Sequence, residues 1–133
     1  MGIVKILYTY AAMMGAFLVV DLLWLGVFAK KFYKSQIGEF MKASPNWIAA
    51  GIFYALFIVG IMIFCVIPSV EKNSITHALI YGALFGFFTY MTYEMTNYAV
   101  IKNWPFTIVP VDILWGVVLT TIISAVGFYI AKI

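Results

Sequence analysis

Four long apolar runs fill this chain, and its polar residues gather in the short stretches between them. A helix needs about 20 predominantly apolar residues to cross the hydrocarbon core of a bilayer. The pattern predicts spans over residues 6–29, 47–67, 74–101 and 106–131, bounded by Lys5, Lys30-Lys31, Glu71-Lys72-Asn73 and Lys102-Asn103. The expected fold is an all-α membrane protein: four transmembrane helices in an up-and-down bundle, forming a single domain over 1–133.

The connections carry their own signals. Lys30 to Asn46 reads as a polar connection, with Ser44-Pro45 as N-cap and first turn of the second span. Pro68-Ser69 and the residues after it read as a turn. Lys102-Asn103-Trp104-Pro105 reads as a tight connection, and Pro110 as a kink or the true start of the fourth span. Gly82 and Gly86 form a small-xxx-small pair that lets another helix approach closely, expected to serve packing within the chain.

Composition narrows the function classes. The chain is 65% hydrophobic and 10% charged, about half the charged content of an ordinary soluble domain, which leaves no room for a soluble catalytic domain. The net charge of +3 comes from lysines without a single arginine, so bidentate phosphate or nucleic-acid recognition is not expected. The basic balance reads as membrane orientation. Five lysines lie in the first and third connections and three elsewhere. The positive-inside rule then puts both termini outside the cytoplasm. Asp21 and Trp24 argue against reading the first run as a cleaved signal core, and Ile6 breaks a myristoylation motif starting at Gly2. Cys65 stands alone in an apolar run and reads as a small buried hydrophobe.

Candidate chemistry sits inside the spans. Asp21-Leu22-Leu23-Trp24 and Asp112-Ile113-Leu114-Trp115 share one pattern, and the chain has only four Trp, so the match suggests an internal repeat. A charged acid near the bilayer centre costs about 3 kcal/mol or more unless protonated, paired or wet. Up-and-down threading puts Asp21, Glu94 and Asp112 about 12, 10 and 9 Å from the face bearing the lysine-rich loop, at 1.5 Å per residue. Tyr90, Tyr93, Glu94 and Asn97 recur at three- and four-residue spacing on the third helix. Tyrosine hydroxyls, the Asn97 amide and the indoles of Trp24 and Trp115 can supply the donors that buried carboxylates need.

Each of these residues has a structural role to weigh. Asp112 near the start of the fourth helix would be stabilised by the helix dipole and free N–H groups with no function implied. Either Trp can be an interfacial anchor, and His77 reads as a solvated interfacial histidine. Asp21, Glu94 and Asp112 are weak candidate metal ligands: they offer oxygen to Mg²⁺, Ca²⁺ or Mn²⁺, but no spacing is a metal motif and no His/Cys cluster suits zinc or copper. No Gly-x-Ser-x-Gly element supports nucleophilic catalysis.

Asp21-Leu22-Leu23-Trp24-Leu25-Gly26, Tyr93-Glu94-Met95-Thr96-Asn97, Lys102-Asn103-Trp104-Pro105 and Val111-Asp112-Ile113-Leu114-Trp115-Gly116 together resemble a family of small bacterial and archaeal integral membrane proteins known as domain of unknown function 2177. The likeness covers the whole chain. The family pattern more often has Asp at the position of Glu94. The resemblance implies a compact four-span domain and carries no reaction, substrate or cofactor.

Function is therefore read from the cluster. The leading expectation is an inner-membrane protein whose Asp21, Trp24, Tyr90, Tyr93, Glu94, Asn97, Asp112 and Trp115 form a pocket toward the cytoplasmic face. That pocket would bind a small ligand, proton or cation in coupled transport, with a homodimer supplying missing walls. The alternatives are a membrane-embedded enzyme acting on a lipid or isoprenoid through paired acids, and a non-catalytic assembly subunit whose polar cluster locks helix packing.

Overall fold

The computed structural model describes residues 1–133 and contains helices and connections only. Helices α1 (Ile3–Leu23), α2 (Lys30–Ile37), α3 (Trp47–Ile61), α4 (Ile67–Glu71), α5 (Ile75–Val100) and α6 (Ile108–Ala131) follow one another along the chain. Short π-helical stretches, Trp24–Phe28 and Met62–Val66, extend α1 and join α3 to α4. The four resulting rods, Ile3–Phe28, Trp47–Glu71, Ile75–Val100 and Ile108–Ala131, are each long and apolar enough to cross a membrane. The protein is an all-α membrane protein with four spans in an up-and-down bundle.

The connections depart from expectation in instructive ways. The first is not a simple polar loop, because Lys30–Ile37 is helical and followed by a 3₁₀ turn at Gly38–Phe40. Its apolar side chains account for this: Ala29 and Tyr33, one helical turn apart, are buried against Trp104, Ile108 and Val109, while Lys30 and Lys34 stay outside. The second span is capped by Asn46 and not by Ser44, the Asn46 side chain accepting from the Ala49 N–H at 3.1 Å. Pro68 does not end that span, which runs on to Glu71. The wider π turns just before Pro68 suit a residue that has no N–H and crowds the carbonyl four residues back. Pro110 does not start the fourth span; helix α6 begins at Ile108, so the missing N–H falls in the first turn, where none is needed.

The bundle is zipped along α5 and α6, its most extensive interface. A Cβ at Gly86 would run into the backbone of Gly116 and the Thr120 side chain, and one at Gly82 into Ser124 and the Thr120 backbone. The helix that uses the Gly82/Gly86 notch is thus α6 of the same chain. Thr120 Oγ1 donates within this seam, with the Gly82 carbonyl at 2.5 Å and that of Gly116 at 2.8 Å. Beside the seam, Met13 and Phe17 of α1 and Ile58 and Ile61 of α3 meet Leu119 and Ile123 of α6 in the main apolar core.

The seam sets a first expectation. Gly86→Val should lower stability by about 1–3 kcal/mol or more through overpacking against backbone that cannot move aside. Gly15→Ala, where nothing lies within 4 Å of the added methyl, should be neutral or slightly stabilising. Thermal unfolding of both variants in detergent checks the contrast; equal melting temperatures would show that the seam tolerates bulk.

Candidate functional site

Spans one and four run antiparallel, and their two Asp-x-x-Trp segments meet at one level. The indoles of Trp24 and Trp115 stack face to face, centroids 4.5 Å apart and planes 9° from parallel. From that stack each Trp serves the aspartate of the other segment. Trp115 Nε1 donates directly to Asp21 Oδ1 at 3.2 Å. Trp24 Nε1 donates to the Tyr33 hydroxyl at 3.2 Å, and that hydroxyl donates to Asp112 Oδ1 at 2.6 Å. The paired motif is therefore a crossed pair, closed on one side by a borrowed tyrosine.

The third acid has its own donor. Glu94, 1% exposed, accepts from Trp104 Nε1 at 3.0 Å. Trp104 comes from the connection between α5 and α6, folded back so that its ring is buried beside Ala29 and Ile108. The Glu94 and Asp112 carboxyl groups lie within hydrogen-bonding reach of each other. Asp21 and Asp112 are 5% and 7% exposed. The hydrogen bonds these acids accept come from neutral indole N–H and phenol O–H groups.

Asp21 and Asp112 share the wall of a cavity of about 540 Å³. All four spans line it: Asp21 and Leu25 from the first; Ala49, Ala50, Phe53, Tyr54 and Phe57 from the second; Thr89, Tyr90 and Tyr93 from the third; Asp112 and Trp115 from the fourth. Glu94 stands behind this wall and reaches it through Asp112. The Tyr90 ring packs onto Gly116, where a Cβ would collide with it, so that glycine lets the ring lie flat beside the cavity.

Of the residues singled out from sequence, Asp21, Tyr90, Tyr93, Asp112 and Trp115 line the cavity, Trp24 stacks behind Trp115, and Glu94 joins through Asp112. The stripe on α5 divides: Glu94 is buried, Tyr93 is half-exposed at the rim with its ring edge-on to Trp104 at 6.2 Å, and Asn97 makes no hydrogen bond to the acids. The weak metal reading gains nothing from the geometry, for no group of three or more His, Cys, Asp or Glu side chains is placed to hold an ion. Sequence reasoning did not pick out Tyr33, Tyr54 or Trp104. Tyr33 carries a usable signal, an aromatic between lysines and one turn from Ala29 and Ile37, which marks an amphipathic helix; Trp104 lies in Lys102-Asn103-Trp104-Pro105, whose composition signals only a tight connection.

Tyr33 lies outside the spans, and burial, then the charge of Asp112 beside it, push its hydroxyl well above the ordinary value of 10.0. It therefore remains a donor throughout the neutral range.

A short bundle of four spans with buried carboxylates around an internal cavity defines a small polytopic membrane protein. A family model described as "Predicted membrane protein (DUF2177)" matches residues 6–129, and the chain belongs to that family. No curated protein and no solved structure matches it.

Tyr33→Phe should destabilise the protein by about 1–3 kcal/mol, the cost of leaving a buried carboxyl oxygen without its donor. The pH dependence has a definite sign. Folding raises the Tyr33 value, so its contribution is fully present below about pH 10 and is lost as pH rises further. Denaturation of wild type and Tyr33→Phe between pH 7 and 11 should show the gap between them narrowing at the alkaline end; a constant gap would remove Tyr33 from the network.

Proposed function

We propose that the protein binds a small ligand in the intramembrane cavity and couples that binding to a proton, as a compact coupled transporter does. The observation that carries the reading is a cavity of about 540 Å³ walled by all four spans with two nearly buried aspartates in its lining. A volume of this size suits a small organic ligand, and mostly apolar walls with a few placed polar groups are usual for such sites. Intramembrane acids mark ion pathways and proton relays by default. Here Glu94 beside Asp112 forms a pair able to hold a proton, and the Tyr33 hydroxyl, which both accepts and donates, leads from Asp112 toward the lysine-rich connection. By the positive-inside argument that connection faces the cytoplasm of a bacterial inner membrane, with both termini outside.

The aromatic walls, Phe53 and Phe57 among them, would also hold an apolar chain, which favours as second reading an enzyme acting on a lipid or isoprenoid with Asp21 and Asp112 as acid and base. Chemical change in the bound ligand separates that reading from transport. The third, an assembly subunit whose cluster only locks packing, is separated by stability.

Asn at position 21 or 112 keeps an acceptor oxygen for Trp115 or Tyr33, so Asp21→Asn and Asp112→Asn should unfold within about 1 kcal/mol of wild type. Ligand binding should fall at least tenfold. A thermal-shift screen of cationic, neutral and anionic aromatic amphiphiles supplies the readout, because a ligand of the folded state raises the melting temperature with concentration. Ala50→Trp, which fills the cavity, should abolish the shift, and Glu94→Gln should keep binding while losing proton uptake on binding. If both aspartate variants lose several kcal/mol, or if no compound stabilises wild type more than Ala50→Trp, the acids belong to packing and the binding reading falls.

A further inference from the structure

The cavity's lining is of one electrostatic sign. Asp21 and Asp112 contribute carboxyl groups, and Phe53, Tyr54, Phe57, Tyr90, Tyr93 and Trp115 contribute rings whose faces are negative. No lysine and no histidine lines it. An anion would find the neutral hydroxyls of Tyr54, Thr89, Tyr90 and Tyr93 but no cationic group, beside two carboxyl groups that repel it. A small inorganic cation is served little better, since three protein ligands do not converge and aromatic walls do not replace a shell of water oxygens.

Asp21 has capacity to spare. Its one hydrogen bond at full geometry comes from Trp115, with the Tyr54 hydroxyl close by, whereas a carboxylate can accept about four. It is also 5% exposed and lies in the cavity wall, so what remains of its accepting capacity is directed at whatever enters.

The route in is lateral. Leu25, Phe53 and Tyr93, from spans one, two and three, line the cavity and stay exposed, so the cavity opens among apolar and aromatic residues of spans whose surroundings in a bilayer are acyl chains. A ligand entering there must itself be at home in the membrane.

Resting on the binding reading above, we infer that the ligand is an amphipathic organic cation, an ammonium head on an apolar or aromatic body, that enters from the bilayer and sets its charge against Asp21 between aromatic faces. Charge complementarity supports this choice, as do the cation–π attraction of the rings and the apolar approach. An organic cation carries its charge on a body that the walls can hold, and gives up less hydration than a metal ion.

The test uses an isosteric pair on the wild-type protein in neutral detergent, so it does not depend on any variant folding. Phenyltrimethylammonium and tert-butylbenzene have the same shape and differ in one positive charge; benzenesulfonate supplies the anion. Titration followed by Trp fluorescence, which reports on Trp115 in the wall, should give saturable binding of the cation at least tenfold tighter than that of the neutral isostere, with none of the sulfonate. Asp21→Asn should erase the tenfold preference and leave the weak neutral binding. Equal affinity for cation and neutral compound, or preference for the sulfonate, would overturn the cation inference while leaving a ligand cavity in place. Binding of none of the three, with Ala50→Trp indistinguishable from wild type, would overturn both.

Discussion

The crossed contact between the first and fourth spans is the constraint around which the rest is arranged. Two stacked indoles and two aspartates sit where antiparallel helices present the same Asp-x-x-Trp pattern, and each indole reaches the opposite acid directly or through Tyr33. In hydrocarbon an unpaired carboxylate is costly, so the acids hold the two helices in one register: sliding either by a residue turns its Asp and Trp about 100° away from their partners. The stack adds a flat apolar contact at the same point. Apolar side chains alone tolerate such slips more readily, because lipid competes for them nearly as well as a neighbouring helix does.

That polar lock works together with a different kind of packing on the other side of α6. There α5 is held by absence of side chain, through Gly82, Gly86 and Gly116, and by Thr120, whose hydroxyl lies in the seam. Close approach fixes α5 against α6, and the crossed contact fixes α1 against α6. Glu94 and Asp112, on the two helices of the glycine seam, are thereby brought within reach of each other. The fourth span is the common reference for all three acids.

Much of this architecture was legible in the sequence because the bilayer imposes length and polarity rules that composition obeys. The four spans, the glycine notch on the third and the shared depth of Asp21, Glu94 and Asp112 follow from counting residues. What counting did not reach was the pairing. That Trp115 serves Asp21 depends on rotation about the helix axis, and span four is apolar on nearly every side, so periodicity gives no face. The role of Tyr33 was hidden because a stretch with four lysines reads as solvated; its helix forms through tertiary burial against Trp104 and Ile108, which local sequence does not encode. The cap at Asn46 and the continuation past Pro68 are hidden for a related reason: Ser44 and Asn46, both able to cap, lie two residues apart, and the π turns that absorb Pro68 leave no compositional mark.

The second span explains why there is a cavity at all. Its first half, including Trp47, Ile48, Ile52 and Phe53, is exposed, and only from Phe57 onward do Ile58 and Ile61 enter the core. The rod packs its later half into the core, and at the level of the acids Ala49, Ala50 and Phe53 border the cavity. A bulky apolar group packed there would cover the accepting capacity that Asp21 and Asp112 keep beyond their donors Trp115 and Tyr33. The cavity leaves that capacity facing a space that a ligand, water or lipid must fill. The acids that join the first and fourth spans thus also border the opening beside the second, and one set of residues serves both the helix register and the cavity wall.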